Sequence, residues 1–421
     1  MLRRFSLYGF LKNQRYFEGF FVLLLLDRGL SFFVIGLLVA FRDLTVNLLE
    51  IPSGAVADVW GRRRSLMLSF TAYIGSFVIF GLAERAIWFF PAMALYAVGD
   101  AFRTGTHKAI IFSWLRGQGR TDERVRVYGY TRSWSKFGSA ASVILAGLFV
   151  LASDSYAFLF HVSVIPYLLG LINFMGYPAD LDRQPGGAGS PVRILRHMTR
   201  ALKNSLGRAG LRRLVLESMG FEGLFHAVKD YLQPILLATA IVSLGAMETT
   251  AELTQTRQAA LLITPVYFVL HLISALASRT AHRLRDRAGG DARAAHRLWA
   301  AAALNFAALL TAAYFEWSPI LVLAFVALHA LQNIWRPVLI SRFDAQGSEA
   351  EGATLLSVES QARRAATMIL APLLGLAIDS VGQLEIGGQF WPVGAVGLIV
   401  ATGFFLAPVP GGEPSDAKPP A

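Results

Sequence analysis

Four sets of polar side chains recur at helical spacing inside otherwise apolar stretches of this 421-residue chain. Asp43, Asn47 and Glu50 follow i, i+4, i+7, as do Glu222, His226 and Lys229, and His329, Asn333 and Arg336; Asp100, Arg103 and His107 follow i, i+3, i+7. Each set draws one polar stripe along a helix. Carboxylates, imidazoles and guanidiniums so arranged can hold a polar solute and can load and release protons. Glu18 and Glu222 suit the second task, because an apolar setting disfavours the ionised form of an unpartnered carboxyl. Glu222 is the preferred carrier, since His226 and Lys229 follow it on one face; Glu18 lacks such neighbours, and Asp100 and Asp43 are the next candidates. His107, His226 and His329 lie on three separate stretches without a ligand signature, so no metal site is expected. No nucleophile–base pair, phosphate loop or cofactor motif is evident, and neither an enzyme nor a cofactor is expected.

The elements that carry these stripes must lie in a membrane. Hydrophobic residues make up 54% of the chain, charged residues only 16%, and the mean hydropathy is +0.49. A soluble domain has about 25% charged residues. A spanning helix needs about 20 mostly apolar residues, and in lipid every backbone polar group must be paired internally. Twelve spans are expected, over roughly 8–27, 31–59, 65–83, 88–113, 130–152, 156–177, 211–234, 259–281, 295–316, 319–341, 354–379 and 389–408. At about 1.5 Å rise per residue, Glu18, Asp100, Glu222 and His329 fall near the middle of their spans.

Charge orients the spans. Of 39 Lys and Arg, 27 fall in the N-terminal segment (which takes in Lys12 and Arg15), the loops on its side and the C-terminal tail; only Arg28, Arg85 and Arg257 fall in the opposite loops. Both termini are therefore expected on the cytoplasmic side of the inner membrane, without a removable signal. The net charge of +11 is accounted for by topology and anionic lipid, so no nucleic-acid partner is needed. Nine cations remain inside spans: Arg42, Arg103, Lys108, Arg132, Lys136, Lys229, Arg336, Arg363 and Arg364. A charge near the bilayer centre costs at least ~2.5 kcal/mol, so such groups face a wet cavity or a partner. Lys108, Arg132, Lys136, Arg363 and Arg364 lie within reach of the inner interface and can snorkel to it. Cysteine is absent, which excludes disulfides and thiolate metal sites.

Hydropathy collapses around 178–210. The expected organisation is an N-terminal six-helix bundle over 1–180, a cytoplasmic linker with a basic amphipathic segment over 181–210, a C-terminal six-helix bundle over 211–408 and a disordered tail over 409–421. The halves echo each other. Ala94-Leu-Tyr-Ala-Val-Gly-Asp-Ala-Phe-Arg103 aligns without gaps with Ala327-Leu-His-Ala-Leu-Gln-Asn-Ile-Trp-Arg336, and Phe17-Glu-Gly-Phe-Phe21 with Phe221-Glu-Gly-Leu-Phe225. Arg132-Ser-Trp-Ser-Lys136 and Glu359-Ser-Gln-Ala-Arg363 match more loosely. Such repeats fit two bundles related by an axis along the membrane normal.

The second span ends in Glu50-Ile-Pro-Ser-Gly-Ala-Val-Ala-Asp-Val-Trp-Gly-Arg-Arg-Arg64. This resembles the signature loop of the major facilitator superfamily, G-x-x-x-D-x-x-G-R-[RK], with Gly54, Asp58, Gly61, Arg62 and Arg63 at the matching positions. Gly99-Asp-Ala-Phe-Arg-Thr-Gly-Thr-His-Lys108 and Tyr130-Thr-Arg-Ser-Trp-Ser135 resemble a bacterial branch of that family. The resemblance implies an all-α membrane fold of two pseudo-symmetric six-helix bundles. It also implies a secondary transporter that moves a small organic solute by alternating access, with protons as coupling ion and a monomer as the working unit. Spans 1, 4, 7 and 10 would line the cavity, giving Glu18, Asp100, Arg103, Glu222, His226, His329, Asn333 and Arg336 as substrate-facing residues. The latch would comprise Gly54, Asp58, Gly61 and Arg62, with Gly54 admitting close approach of span 11 and Asp58 facing the positive start of that span near Thr354. Two departures weaken a drug-exporter reading: Gly138-Ser-Ala-Ala-Ser-Val-Ile-Leu-Ala-Gly147 lacks the G-x-x-x-G-P proline, and the span-4 arginine stands at 103 and not four residues before Gly105. The alternatives kept are a multidrug or metabolite exporter and, further off, a transporter-fold sensor or membrane-embedded enzyme.

Overall fold

The chain is described from a computed structural model, in which residues 1–178, 181, 207–247, 250, 252–346 and 352–407 are described. Most of the expected linker and the whole tail 409–421 lie outside these residues. The described elements are helical: α1 (Leu2–Leu11), α2 (Phe21–Asp27), α3 (Phe32–Trp60), α4 (Arg62–Leu82), α5 (Ala86–Arg103), α6 (Thr106–Gly117), α7 (Arg124–Ser153) and α8 (Tyr156–Met175) in the first half. The second half has α9 (Ala209–Ser218), α10 (Leu224–Val228), α11 (Leu232–Gly245), α12 (Gln255–Ala288), α13 (Asp291–Tyr314), α14 (Ser318–Asp344), α15 (Gly352–Leu384) and α16 (Trp391–Leu406). Helices occupy all twelve expected positions, and eight of the described helical stretches are long and apolar enough to cross a membrane. The other four positions hold α1 with α2, α5 with α6, α13 and α16.

Three spans depart from the regular helix that the spacing predicts. Span 1 breaks between Leu11 and Phe21. Span 4 breaks at Thr104 and Gly105, where Gly105 takes φ 77°, a left-handed conformation that glycine adopts without steric cost. Span 7 carries a π-helical segment at Met219–Gly223 and a 3₁₀ turn at Lys229–Tyr231. The echoed Phe-Glu-Gly sequences of the two halves, Phe17–Gly19 and Phe221–Gly223, fall on the first and third of these departures. Such π segments inside α-helices mark functional sites more often than chance.

By contacts the chain forms two compact units that do not follow the sequence halves. One comprises 1–196, 227–272 and 367–380; the other comprises 197–226, 273–366 and 381–421. In the first, buried serines of α4 set the register of α5: Ser69 donates to the Gly99 carbonyl at 2.6 Å and Ser65 to that of Phe102 at 3.3 Å. Gly99 lets the Tyr73 ring lie against the α5 backbone, for a Cβ there would stand 2.8 Å from it. α1 crosses α7 equally closely. A Cβ on Gly138 would meet the Phe10 carbonyl at 2.6 Å, and one on Gly9 the Thr131 carbonyl at 2.8 Å.

The same unit joins first-half and second-half helices. The Asp379 carboxylate of α15 accepts from the first two backbone N–H groups of α3, Phe32 at 3.0 Å and Phe33 at 2.8 Å. These are donors that a helix start leaves without an internal partner. Gly36 and Gly375 permit the approach: a Cβ on either would meet the other helix's backbone at 2.4 and 2.2 Å. Gln233 spans the break in span 1, accepting from Val22 N–H at 2.8 Å and donating to the Glu18 carbonyl at 3.0 Å. In the second unit α13 packs on α14 and α16 around Trp299 and Trp335, whose rings are 4.8 Å apart. Trp335 is thus a packing residue.

Candidate functional site

In the first unit Asp100, at the end of α5, is the centre of a charge cluster. Its Oδ1 accepts from the Tyr73 hydroxyl at 2.5 Å and from Arg103 Nη2 at 3.0 Å, and Arg15 Nη2 stands 3.7 Å away. Arg103 also donates through Nε to Tyr73 at 3.0 Å, and Arg15 donates to Tyr167 at 3.3 Å. The Arg15 guanidinium lies over the Tyr73 and Tyr96 rings at 5.9 and 5.8 Å, close enough for cation–π attraction. One carboxylate thus faces two guanidiniums, and the cluster keeps one positive charge.

Arg15 corrects the charge tally from sequence. That tally places it with Lys12 in the N-terminal segment as a topology signal, but the break in span 1 carries it inward to Asp100. Its position inside the span 8–27 is the available signal. His107 is corrected as well. The break at Gly105 takes it off the Asp100 and Arg103 stripe, and its ring is buried against Tyr8 at 3.7 Å with Nε2 3.1 Å from the Tyr177 hydroxyl. The side chain of Glu18 is exposed, so the match with Glu222 in sequence does not extend to burial. Asp43 is buried and held by its neighbour Arg42 at 2.9 Å.

In the second unit Glu222 sits on the π segment and is 1% exposed. Its carboxylate accepts from the Gln332 amide at 3.2 Å, and His226 Nε2 stands 3.9 Å away. One helix turn from Gln332, Arg336 forks onto Glu359 of α15 at 2.6 and 2.9 Å, and Ser218 donates to the same carboxylate at 2.6 Å. Such two-bonded guanidinium–carboxylate pairs are strong and directional. Asn333 donates to Ser274 at 3.1 Å, and His329 Nδ1 lies 2.8 Å from the Phe325 carbonyl. Glu217 is held by Arg213 at 2.7 Å and by Arg342. Glu222, His226, Gln332, Arg336 and Glu359 therefore belong to one neighbourhood, of which sequence reasoning names Glu222, His226 and Arg336. It misses Gln332 and Glu359 because a count of cations inside the spans passes over their partners. Lys229 is corrected: its ammonium binds Asp230 at 2.8 Å, at the 3₁₀ turn that ends the regular stripe.

The signature loop is partly described. Gly61 takes φ 99° between α3 and α4, where a side chain would be strained. Arg62 donates to the Ala109 carbonyl at 3.1 Å and to Ser113 at 2.9 Å, and Arg63 to the Tyr177 carbonyl at 2.9 Å. Both thereby tie the start of α4 to neighbouring first-half segments. A Cβ on Gly54 would meet nothing within 4 Å among the described residues; the glycines of α3 and α15 that do make close approaches are Gly36 and Gly375. The side chain of Asp58 lies outside the described residues.

The sequence matches the profile of the Major Facilitator Superfamily over residues 14–358. It is 23% identical over 160 residues to an uncharacterized MFS-type transporter, YxaM, of Bacillus subtilis (strain 168), an alignment that covers 38% of this chain and 37% of that one. The chain thus matches well under two thirds of that relative's length. Solved structures share the fold at low identity. A mutant form of the nucleoside transporter NupG superposes with a TM-score of 0.76 at 13% identity, over 96% of this chain and 99% of that one. A D-xylose-proton symporter gives 0.67 at 16%, over 96% of each. A POT family transporter in complex with 5-aminolevulinic acid gives 0.68 at 14%, over 95% and 94%.

Proposed function

The chain belongs to the major facilitator superfamily, so it is a multi-pass membrane transporter and not an enzyme, and from that premise we propose that it carries a small anionic or zwitterionic organic solute by proton-coupled alternating access. The observation that supports this reading most is the surplus positive charge at Asp100, where Arg15 and Arg103 face a single carboxylate. A polar chamber with net positive potential concentrates anions and repels cations. Arg336 supplies the corresponding guanidinium in the second half, and Asn333 and His329 add polar groups beside it. Among the neighbours, one is named for a solute with both a carboxylate and an amine, 5-aminolevulinic acid, and one for proton symport.

Glu222 is the proposed proton carrier. Asp100 already has two guanidinium partners, whereas a proton arriving at Glu222 meets an amide and an imidazole and breaks no guanidinium hydrogen bond. Glu18, Asp100 and Asp43 stand behind it as alternatives. The proposed setting is the cytoplasmic membrane with both termini inside, two six-helix bundles working as a monomer, and a cytoplasmic latch formed by Gly54, Asp58, Gly61 and Arg62. The test is uptake into liposomes holding the purified protein, with a panel of carboxylates, amino acids and lipophilic cations, with and without an imposed pH gradient. Gradient-driven accumulation of an anion or zwitterion is expected. Preferential transport of lipophilic cations would overturn the reading and favour the multidrug alternative.

A further inference from the structure

Beside the Asp100 cluster, in the same unit, lies a cavity of about 380 Å³ bounded by α1, the segment after it, α6 and α7. Its walls include Lys12, Arg132 and Lys136, and no carboxylate is among the lining residues. None of the three has a carboxylate within 4.0 Å among the described residues. The Lys12 ammonium lies over the Tyr8 ring at 5.4 Å, and the same ring stacks on His107 at 3.7 Å. Tyr167 links this wall to the Asp100 cluster, donating to the Lys12 carbonyl at 2.9 Å and accepting from Arg15 at 3.3 Å. The walls are fixed: Asn13 donates to the Ser135 carbonyl at 2.8 Å and Gln14 to that of Gly138 at 3.0 Å, at the crossing where Gly9 and Gly138 bring α1 and α7 into backbone contact.

Cations that merely reach for the membrane interface do not need a shared, built cavity, and three like charges around one volume repel each other. An oxyanion in that volume relieves the repulsion and gains charge-assisted hydrogen bonds. The volume suits a small organic molecule, at the lower end of ordinary ligand pockets. We propose that this cavity is a binding site for an organic oxyanion, a carboxylate or phosphate carried by a solute or by a lipid headgroup. The inference rests on the reading of the solute as anionic and adds a second site to it, one lined by Lys12, Arg132 and Lys136 and not by Arg103.

Binding, not transport, tests it, so its failure leaves the liposome assay of the proposed function standing. The purified full-length protein in neutral detergent is titrated with inorganic phosphate and, separately, with succinate at constant ionic strength set by chloride, and the melting temperature is followed. A saturable rise is expected. Arg132→Gln and Lys136→Gln should each weaken the apparent Kd about tenfold, Arg132→Lys should retain most of the binding, and Arg126→Gln, an exposed cation outside the cavity lining, should leave it unchanged. Nanodiscs separate the sources: if phosphatidylglycerol suppresses the phosphate-dependent rise relative to zwitterionic lipid, the occupant is the headgroup, and if it does not, the occupant is a free solute. Absence of a saturable rise with both probes, or identical curves for wild type and the Arg132→Gln/Lys136→Gln double variant, overturns the proposal.

Discussion

Arg336 and Glu359 hold each other by two hydrogen bonds of 2.6 and 2.9 Å across adjacent helices, whereas Arg103, its counterpart in the repeat, is held at 3.0 Å by Asp100 on its own helix. The guanidinium is thus kept at equivalent repeat positions while its counter-ion comes from a different element in each half. Glu359→Gln removes one side of the fork and leaves a partly buried guanidinium with a neutral partner. We expect a lower melting temperature, largely restored in the Glu359→Gln/Arg336→Gln double variant, with a coupling energy of about 1–3 kcal/mol from the cycle. Additive losses would show that the pair contributes nothing as a pair.

Arg103 and Arg336 are proposed to bind the solute. Replacing either with Gln should raise the half-saturation constant for an anionic solute by about tenfold or more, the effect of losing one charge-assisted hydrogen bond. Uptake kinetics in liposomes measure it, with detergent-solubilised melting curves checking that each variant folds. An unchanged constant in both variants would remove them from the site.

Glu222→Gln imitates the protonated carboxyl. Accumulation driven by a pH gradient should be lost while solute exchange between loaded vesicles persists, because exchange needs no net proton movement. A variant that still concentrates solute at the wild-type rate would pass the coupling role to Asp100 or Asp43.

The chain has no cysteine, so a single introduced cysteine reports on its own position without background. With such reporters on the ends of α3 and α15 that the proposed topology places in the cytoplasm, Asp58→Asn should increase labelling by membrane-impermeant reagents in inside-out vesicles and lower turnover, while the protein still inserts. Identical labelling and transport would reduce the signature loop to a topology signal.

Much of this arrangement is legible in sequence. The polar stripes survive where the helix is regular, as at Asp100 with Arg103 and His329 with Asn333 and Arg336. They fail where backbone geometry changes, because spacing arguments assume 3.6 residues per turn: Gly105 removes His107 from its stripe, and the 3₁₀ turn at Lys229 turns that residue to Asp230. Arg15 is misplaced by sequence for a related reason, since a broken helix can carry inward a charge that proximity to the terminus assigns to a surface. Tyr73, Tyr167, Gln332 and Glu359 cannot be chosen from sequence at all. Their roles arise from which helices are neighbours, and pairings such as Ser69 with Gly99 that create those neighbourhoods are set by packing, not by local propensity.

At the crossing of α3 and α15, Gly36 and Gly375 each present only a hydrogen to the backbone of the other helix. Interlocked side chains would have to be lifted over one another before such a contact could turn, and at these two positions there are none to lift. The crossing is a close backbone contact to which Asp379 adds two hydrogen bonds. Two hydrogen bonds to a charged group are together worth on the order of 3–6 kcal/mol net of water. That is comparable with the ~5.5 kcal/mol of differential affinity needed to swing a two-state equilibrium from one side to the other. Under the proposed alternating access, a solute that prefers one state by that much would suffice to open such a joint.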